Sequence, residues 1–290
     1  MENQYKAKWG SLEITSPPPS GFRKLITMEF EEFQGKVLEQ DPSFVSILLE
    51  SLYAGDFYLL KGAFKKDFLE ELKTKTIKYA EKSPSAYHEM IEGCPDFQRV
   101  IDHETSKLYS YTAIRRSHFF FPWNNDPLDC FEAVNKRWRI FKFLSGLPLD
   151  AYEKNTPKDG VVDRIQVALY PAGGGGLASH TDPTKTQKVI IGAMMSKRGE
   201  DFQAGGFFCV DCDGKKVDFE DHIEVGDFVC GYPTVVHGVV SVDPSEPVDW
   251  PSFKGRWFLG LYSNDSNHVK NRNTTQRIPE EGRIEVPLTF

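Results

Sequence analysis

The sequence is poor in cysteine and contains no long apolar run. Its five cysteines among 290 residues are an odd number without a dense framework, which favours a reduced protein over a disulfide-stapled secreted scaffold. No stretch approaches the roughly 20 apolar residues that a membrane helix requires. The first ten residues, MENQYKAKWG, lack the apolar segment of a secretory signal. We therefore expect a cytoplasmic protein without a membrane partner.

Basic charge is also scarce, because 42 acidic residues outnumber 35 lysines and arginines and give a net charge of -7. Non-specific binding to nucleic acid or to an anionic membrane needs the opposite balance. Aromatic residues, by contrast, are plentiful, with 22 phenylalanines, and indicate a large core. These features favour a small-molecule partner over nucleic acid, and they indicate no oligomeric state.

The N-terminal part of the chain, 1–160, has mostly helical patterns. Residues 1–35 are predicted to be an irregular arm, because the prolines of 17–19 suit neither a helix nor a central strand. Helices are predicted from the capping pair Asp41-Pro42 to Gly55, over 65–82, and from Asp126 to Gly146. A strand is predicted at 57–60.

The pattern changes after about residue 160 to short β-rich runs separated by Gly, Asp and Pro turns. The predicted strands are 164–170, 188–194, 206–210, 227–232, 235–240 and 256–262. Such spacing favours a double sheet of the jelly-roll type. We therefore predict an α+β fold of one domain, 1–290, in which a double-stranded β-helix (a jelly-roll, cupin-like core) at 161–265 is buttressed by the N-terminal helices and followed by an extension, 266–290.

A candidate metal site follows the first of these strands, after the glycines of 173–176. In an extended segment, residues i and i+2 face the same side, so His180 and Asp182 can bind one ion together. His237, on the strand pattern 235–239, is the candidate third ligand. Two imidazoles and one carboxylate leave coordination positions free, as a non-haem iron requires. A tetrahedral zinc site with the same ligands is an alternative.

Three further features accompany these ligands: a Gly205-Gly206 pair before a strand, the segment Gly226-Asp227-Phe228, and Arg256 near the start of an apolar strand. A buried arginine needs a partner or an anionic ligand, because burying an unpaired charge is costly. The glycines at 173–176 lack the Lys-Ser/Thr of a phosphate-binding loop and are interpreted as a hairpin. The Cys209-x-x-Cys212 pair lacks a second pair or a nearby histidine, so we interpret it as structural.

In this order, the motifs resemble those of the iron(II)/2-oxoglutarate-dependent oxygenases, especially their prolyl-hydroxylase-like branch, over about 163–264. The resemblance implies that His180, Asp182 and His237 hold Fe(II). It further implies that Arg256 binds the distal carboxylate of 2-oxoglutarate and that Tyr170 contacts this co-substrate. Gln166, on the same predicted strand face as Tyr170, is a further co-substrate candidate.

The activity implied by the resemblance is O2-dependent hydroxylation of a C–H bond, with release of succinate and CO2. The substrate is expected to be a small molecule, such as an amino acid or a natural-product intermediate, and a peptide or protein side chain is the alternative. The carboxylate of Asp182 favours hydroxylation, or a related desaturation or cyclisation, over halogenation. The rival functions are a non-catalytic metal-binding β-barrel and an iron oxidase that does not use 2-oxoglutarate.

An aromatic segment, 109–123, separates the second and third predicted helices and contains basic residues. We interpret it as a cover for the metal pocket that contacts the substrate through Arg115, His118 and Phe120. The alternative is that His118 packs within an aromatic cluster, as buried histidines commonly do.

Overall fold

The computed structural model describes residues 3–109 and 112–272, together with the backbone of 276–277. The helices are α1 Gln4–Thr15, α2 Phe30–Glu39, α3 Pro42–Tyr53, α4 Lys66–Lys82, α5 His103–Ser106 and α6 Phe131–Leu144. The strands are β1 Leu25–Glu29, β2 Phe57–Lys61, β3 Phe97–Ile101, β4 Ala113–Phe120, β5 Val161–Pro171, β6 Gly175–Thr181, β7 Ile190–Met194, β8 Gly206–Val210, β9 Lys216–Asp218, β10 Phe228–Gly231, β11 His237–Val242, β12 Gly255–Asp265 and β13 Gln276–Arg277. Within the described ranges, no helix has the length and apolar character to span a bilayer.

The strands form two facing layers with jelly-roll connectivity. In the larger layer the order is β1-β2-β10-β7-β12-β5-β4, and in the smaller one β6-β11-β8-β9. Among the eight strands of the barrel, β5 to β12, the first pairs with the last, the second with the seventh, the third with the sixth and the fourth with the fifth. This nested antiparallel pairing is that of a double-stranded β-helix, so the predicted fold class is confirmed.

Alternation along the strands of the larger layer gives each of them a helix-facing and a barrel-facing side. On β12, Trp257, Leu259 and Leu261 belong to the main hydrophobic core, which they share with the helices. Arg256 and Phe258 alternate with these residues along the strand, face the other way and line a pocket inside the barrel. Polar side chains on this inner face are therefore brought together in the barrel interior.

The helices cover the outer face of the larger layer, as the sequence predicts, but they begin earlier than expected. Residues 1–35 are not an irregular arm: they contain α1, β1 and the start of α2. Tyr5 and Trp9 of α1 are fully buried, and the Trp9 indole N–H donates to the carbonyl oxygen of Leu144 at 2.8 Å. The prolines at 17–19 lie between α1 and β1 and belong to neither element.

The other predicted helices are found close to their expected bounds. Helix α3 begins after Asp41, whose carboxylate accepts a hydrogen bond from the Phe44 N–H at 2.9 Å. Helix α6 begins at Phe131, later than predicted, although Asp126 accepts hydrogen bonds from the first N–H groups of this helix. Of the predicted C-terminal extension, 266–290, residues 273–275 and 278–290 lie outside the described residues.

Candidate metal centre and its two cavities

His180, Asp182 and His237 come together where β6 and β11 lie side by side. His237 is the first residue of β11 and pairs directly with His180, near the end of β6. Asp182 follows the last residue of β6, and its N–H donates to the carbonyl oxygen of Pro233 at 2.9 Å. The turn before β11 therefore holds the carboxylate beside both histidines.

The side chains of this group are close enough to share one ion. Nε2 of His180 lies 4.0 Å from Oδ1 of Asp182, and Nε2 of His237 lies 3.6 Å from its Oδ2. All three donor atoms lie within 4.8 Å of one another. Within the residues that the structure describes, no other group of three or more His, Cys, Asp or Glu side chains meets this criterion.

Both histidines are oriented by the backbone. The Nδ1 atom of His180 lies 2.9 Å from the carbonyl oxygen of Ala178, and that of His237 lies 2.9 Å from that of Val235. Because a carbonyl oxygen only accepts, each Nδ1 carries the ring proton and each Nε2 keeps its lone pair. Burial, reinforced by the charge of the neighbouring His237, lowers the pKa of His180 to about 4, so its ring is neutral at pH 7.

This donor set fits a divalent metal ion. Two imidazole nitrogens and one carboxylate occupy neighbouring positions around a common point, which leaves further coordination positions for other ligands. That arrangement is typical of non-haem iron(II) sites that bind a co-substrate. The convergence predicted for the three residues is therefore present.

A small inner pocket of about 50 Å³ adjoins the group inside the barrel. Besides the three candidate ligands, its lining includes Tyr170, Leu177, Met194, Arg256, Phe258 and Tyr262. Arg256 and Tyr170 are directly paired neighbours on β12 and β5, and each guanidinium-to-ring distance, to Tyr170 and to Phe258, is 5.9 Å. The pocket thus combines a metal-binding wall, one cation and apolar side chains.

Arg256 is 2 % exposed and is held by a buried carboxylate that the sequence did not indicate. Its Nε donates to Oε1 of Glu220, which is also 2 % exposed, and its Nη2 contacts Sδ of Met194 at 3.2 Å. The same Glu220 oxygen accepts from the Phe207 N–H at 2.7 Å. A guanidinium has more N–H donors than these two contacts use, so Arg256 can still bind an anion in the pocket.

The Gly205-Gly206 pair makes room for this arrangement. Gly206 has φ +127°, and a Cβ there would lie 2.1 Å from Cγ of Glu220. A Cβ on Gly205 would lie 2.1 Å from the carbonyl oxygen of Ser241 on β11. The glycines therefore allow Glu220 to reach Arg256 and β8 to approach β11.

We expect Gly206→Ala to lower the free energy of unfolding by about 3 kcal/mol, because it combines an unfavourable φ with overpacking against Glu220. Gly214→Ala is the matched control: Gly214 has φ +80° but no atom within 4 Å of its virtual Cβ, so only the backbone penalty of about 1 kcal/mol applies. Urea unfolding of both variants measures the difference. Equal losses of unfolding free energy in the two variants would show that close packing of Glu220 against Gly206 does not contribute to stability.

A larger outer cavity of about 680 Å³ also adjoins the metal group. It shares His180, Asp182, Leu177, Ile190 and Tyr262 with the inner pocket. Its other lining residues include several aromatic and basic ones: Phe97, Arg99, Arg115, Phe119, Phe121 and Arg164. The candidate metal centre thus adjoins both a small pocket and a larger cavity.

The residues predicted to contact the substrate separate into two groups. Arg115 lines the outer cavity. His118 and Phe120 lie on the opposite face of β4 and line neither cavity: His118 stacks on Trp257, with ring centroids 6.2 Å apart, and Phe120 packs on Tyr79 in the main core. The prediction for these two is corrected: alternation places them on the face opposite Arg115, and the helices pack on that face.

Gln166 lies in the outer cavity and not in the inner pocket that contains Arg256. Its side-chain amide donates to Ser117 Oγ at 3.2 Å, and its oxygen accepts from Arg164 at 3.3 Å. Tyr170 lies on the same face of β5, but two pleats further along the strand and in the inner pocket. Its predicted contact with the co-substrate is therefore less well supported than that of Tyr170.

No family model matches the sequence, and no curated protein matches it. Solved structures of 2-oxoglutarate/iron(II) oxygenases do resemble the fold. A prolyl-4-hydroxylase of Pseudomonas putida has 15% identity and a TM-score of 0.45, covering 76% of this chain and 98% of its own. A Neurospora crassa protein solved in complex with alpha-KG and thymine has 17% identity and a TM-score of 0.47, covering 87% and 88%. A putative 2OG-Fe(II) oxygenase family protein of Caulobacter crescentus has 14% identity and a TM-score of 0.44, covering 84% and 87%.

Tyr262 is a further residue of the site that the sequence did not single out. It lines both cavities, and burial raises the pKa of its hydroxyl. A Cβ on Gly260 would lie 2.4 Å from its ring and 2.8 Å from its hydroxyl oxygen. The absence of a side chain at Gly260 therefore makes room for the Tyr262 ring and its hydroxyl group.

Proposed function

We propose that this protein is an Fe(II)/2-oxoglutarate-dependent dioxygenase that hydroxylates a C–H bond of a small molecule and releases succinate and CO2. The observation that carries the proposal is that the His-Asp-His group adjoins two cavities. One is small and contains a buried arginine, and the other is large enough for a substrate. This arrangement suits a reaction between two organic molecules at one metal ion.

In the proposed enzyme, His180, Asp182 and His237 hold Fe(II), which together with 2-oxoglutarate supplies O2 activation for C–H oxidation. Arg256 binds the distal carboxylate of 2-oxoglutarate in the inner pocket, since guanidinium and carboxylate pair through charge-assisted hydrogen bonds. Tyr170, opposite Arg256, provides a wall and a hydroxyl group. The apolar side chains around them exclude water and strengthen these electrostatic interactions.

The outer cavity supports a small-molecule substrate. Its volume of about 680 Å³ falls within the range of roughly 300–1,000 Å³ that is usual for small-molecule sites. Asp182 occupies the carboxylate position of the metal group, which favours hydroxylation, or a related desaturation or cyclisation, over halogenation. A peptide side chain is the alternative substrate.

The rival functions explain less of the site. A structural metal site needs no buried arginine in an adjoining pocket. An iron oxidase without 2-oxoglutarate would leave the inner pocket, with Arg256 beside the metal group, for a carboxylate of its substrate. The two oxygen-dependent functions therefore differ in whether 2-oxoglutarate is consumed.

The test is to measure succinate formed against 2-oxoglutarate consumed, with Fe(II), without it, and after chelation of metal. We expect slow Fe(II)-dependent turnover of 2-oxoglutarate by the protein alone and a several-fold acceleration by a cellular metabolite extract. Chelation is expected to reduce both to background, and Fe(II) to restore them. Substrate oxidation without succinate would favour the oxidase, and tight metal binding without any turnover would favour a structural site.

A further inference from the structure

The outer cavity has a positive charge balance although the chain as a whole has a net charge of -7. Among the residues described, Arg99, Arg115, Arg164 and Arg272 line it, against the carboxylates of Glu89 and Asp182. Asp182 belongs to the metal group, where a bound cation would neutralise it. Cationic side chains therefore dominate the space next to the metal centre.

Three of these arginines are presented by neighbouring strands. Arg99 lies on β3, Arg115 on β4 and Arg164 on β5, and these strands are paired in that order. Each side chain is half-buried and faces the same cavity. In the strand register Arg99 lies two residues from Ile101, the partner of Arg115, whereas Arg164 lies at the opposite end of the β4–β5 pairing, beyond the Phe120–Ile165 pair. Arg99, Arg115 and Arg164 therefore form an extended arginine wall along the cavity, and strands hold its side chains more rigidly than loops would.

Aromatic rings hold two of the guanidinium groups. Arg99 lies 4.7 Å from the Tyr87 ring and 5.1 Å from that of Tyr109. Arg164 lies 5.0 Å from the ring of Phe119 and 5.2 Å from that of Tyr262. These cation–π contacts order the side chains before a ligand binds. Such groups suit the planar recognition of an oxyanion.

The same cavity provides an apolar surface beside the basic wall. Phe97, Phe119 and Phe121 line it, and their rings contact one another: the Phe97 ring centroid lies 4.9 Å from that of Phe119 and 6.2 Å from that of Phe121. Phe97 and Phe121 are themselves buried, with 7% and 0% exposure, so the half-buried side chains of Phe119, Leu177 and Ile190 provide the apolar surface that a ligand can cover. A fully hydrated ion such as free phosphate would leave this surface uncovered. A ligand with both an anionic group and an apolar body would use the whole cavity.

We infer that the substrate of the proposed oxygenase is a small organic acid, in which a carboxylate or phosphate group faces the arginine wall and an apolar body packs on Phe119, Leu177 and Ile190. That this acid is a substrate rests on the proposed function, but its binding can be measured separately from turnover. The arginine wall would then position the apolar body relative to the metal centre.

The test is calorimetric binding of 4-phenylbutyrate, phenyl phosphate and the uncharged 4-phenylbutanol, each at saturating 2-oxoglutarate with Mn(II) in place of iron. We expect both acids to bind at least tenfold more tightly than the alcohol. Whichever of the two acids binds more tightly indicates whether the cavity prefers a carboxylate or a phosphate group. Arg99→Gln and Arg115→Gln are expected to weaken that binding about tenfold each. Binding of acid and alcohol with equal affinity, or no binding of either acid, would overturn the inference.

Arg116→Gln is the matched control, because Arg116 neighbours Arg115 on β4 but lies on the other face, 4.4 Å from the Phe253 ring. It removes the same charge without touching the cavity, so acid binding is expected to stay within twofold of the wild type. Arg115→Lys keeps the positive charge, and its acid binding can be measured if the glutamine variant does not fold. An equal loss in Arg115→Gln and Arg116→Gln would mean that net charge, not the wall, binds the acid.

Failure of this inference and failure of the proposed function give different results. If acids bind through the arginine wall but 2-oxoglutarate is never consumed, the cavity is an anion site of a protein that is not an oxygenase. If 2-oxoglutarate is consumed and neither acid binds, the oxygenase acts on a neutral or cationic molecule.

Discussion

Asp182→Ala is expected to abolish tight metal binding and Fe(II)-dependent turnover of 2-oxoglutarate. Removing a mere hydrogen-bond partner of a metal ligand typically costs about 10- to 100-fold in affinity or activity. Loss of a ligand itself should therefore cost more than about a hundredfold. The two histidines would remain, but both are neutral donors, so the site would lose its only negative charge among the three ligands.

Metal affinity is measured by titration with Mn(II) or Fe(II), and folding by thermal unfolding. Asp182 is partly exposed, and alanine keeps the hydrogen bond from its backbone N–H to Pro233, so we expect the metal-free variant to fold with a melting temperature close to that of the wild type. His180→Ala should behave in the same way. His103→Ala, which removes an exposed histidine at the start of α5, controls for the loss of an imidazole. Full iron-dependent turnover in Asp182→Ala would show that the ligands are assigned wrongly.

The part of the fold that the sequence predicted well is the part with strong local patterns. The strand carrying Arg256 and the helix after Asp41 have alternating or helical apolar spacing and clear end signals, and both are found. The spacing of His180 and Asp182 places them on one side of an extended segment whatever their surroundings are. Local geometry was therefore enough to predict that these two side chains meet.

The part that was missed depends on long-range contacts. Helix α1 has few apolar residues, and it is held by Tyr5 and Trp9, which bond to the carbonyl oxygens of Val37 and Leu144. Neither contact can be read from the helix's own sequence. The choice between the two faces of β4 has the same origin: alternation separates Arg115 from His118, but only the packing of the helices decides which face is the core.

Glu220 was missed because its segment, a short 3₁₀ turn at Glu220–His222, has the composition of an exposed acidic loop. Its burial depends on an arginine 36 residues further along the chain. The indirect signal was Gly205-Gly206, since a pair of glycines before a strand marks a place where something approaches the backbone closely. That signal indicates a neighbour but does not identify it.

Loss of Arg256 is expected to raise the concentration of 2-oxoglutarate needed for half-maximal turnover by at least about 30-fold, which corresponds to the lower part of the roughly 2–5 kcal/mol lost when one partner of a buried charge pair is removed. The single variant Arg256→Ala also leaves Glu220 buried without its cation, at a cost of about 3–5 kcal/mol in stability. Instability could therefore hide the effect on the co-substrate.

The double variant Arg256→Met with Glu220→Gln separates the two effects. Methionine fills the space of the arginine stem, and a glutamine oxygen can still accept the Phe207 N–H, so we expect near wild-type stability together with the full loss of 2-oxoglutarate affinity. Glu220→Gln alone keeps the guanidinium but weakens its anchor, and a smaller rise in KM at unchanged kcat is expected. Glu220 is then a positioning residue for Arg256. A double variant that folds and binds 2-oxoglutarate as tightly as the wild type would show that the distal carboxylate is bound elsewhere, and the arginines of the outer cavity would be the first alternative to test.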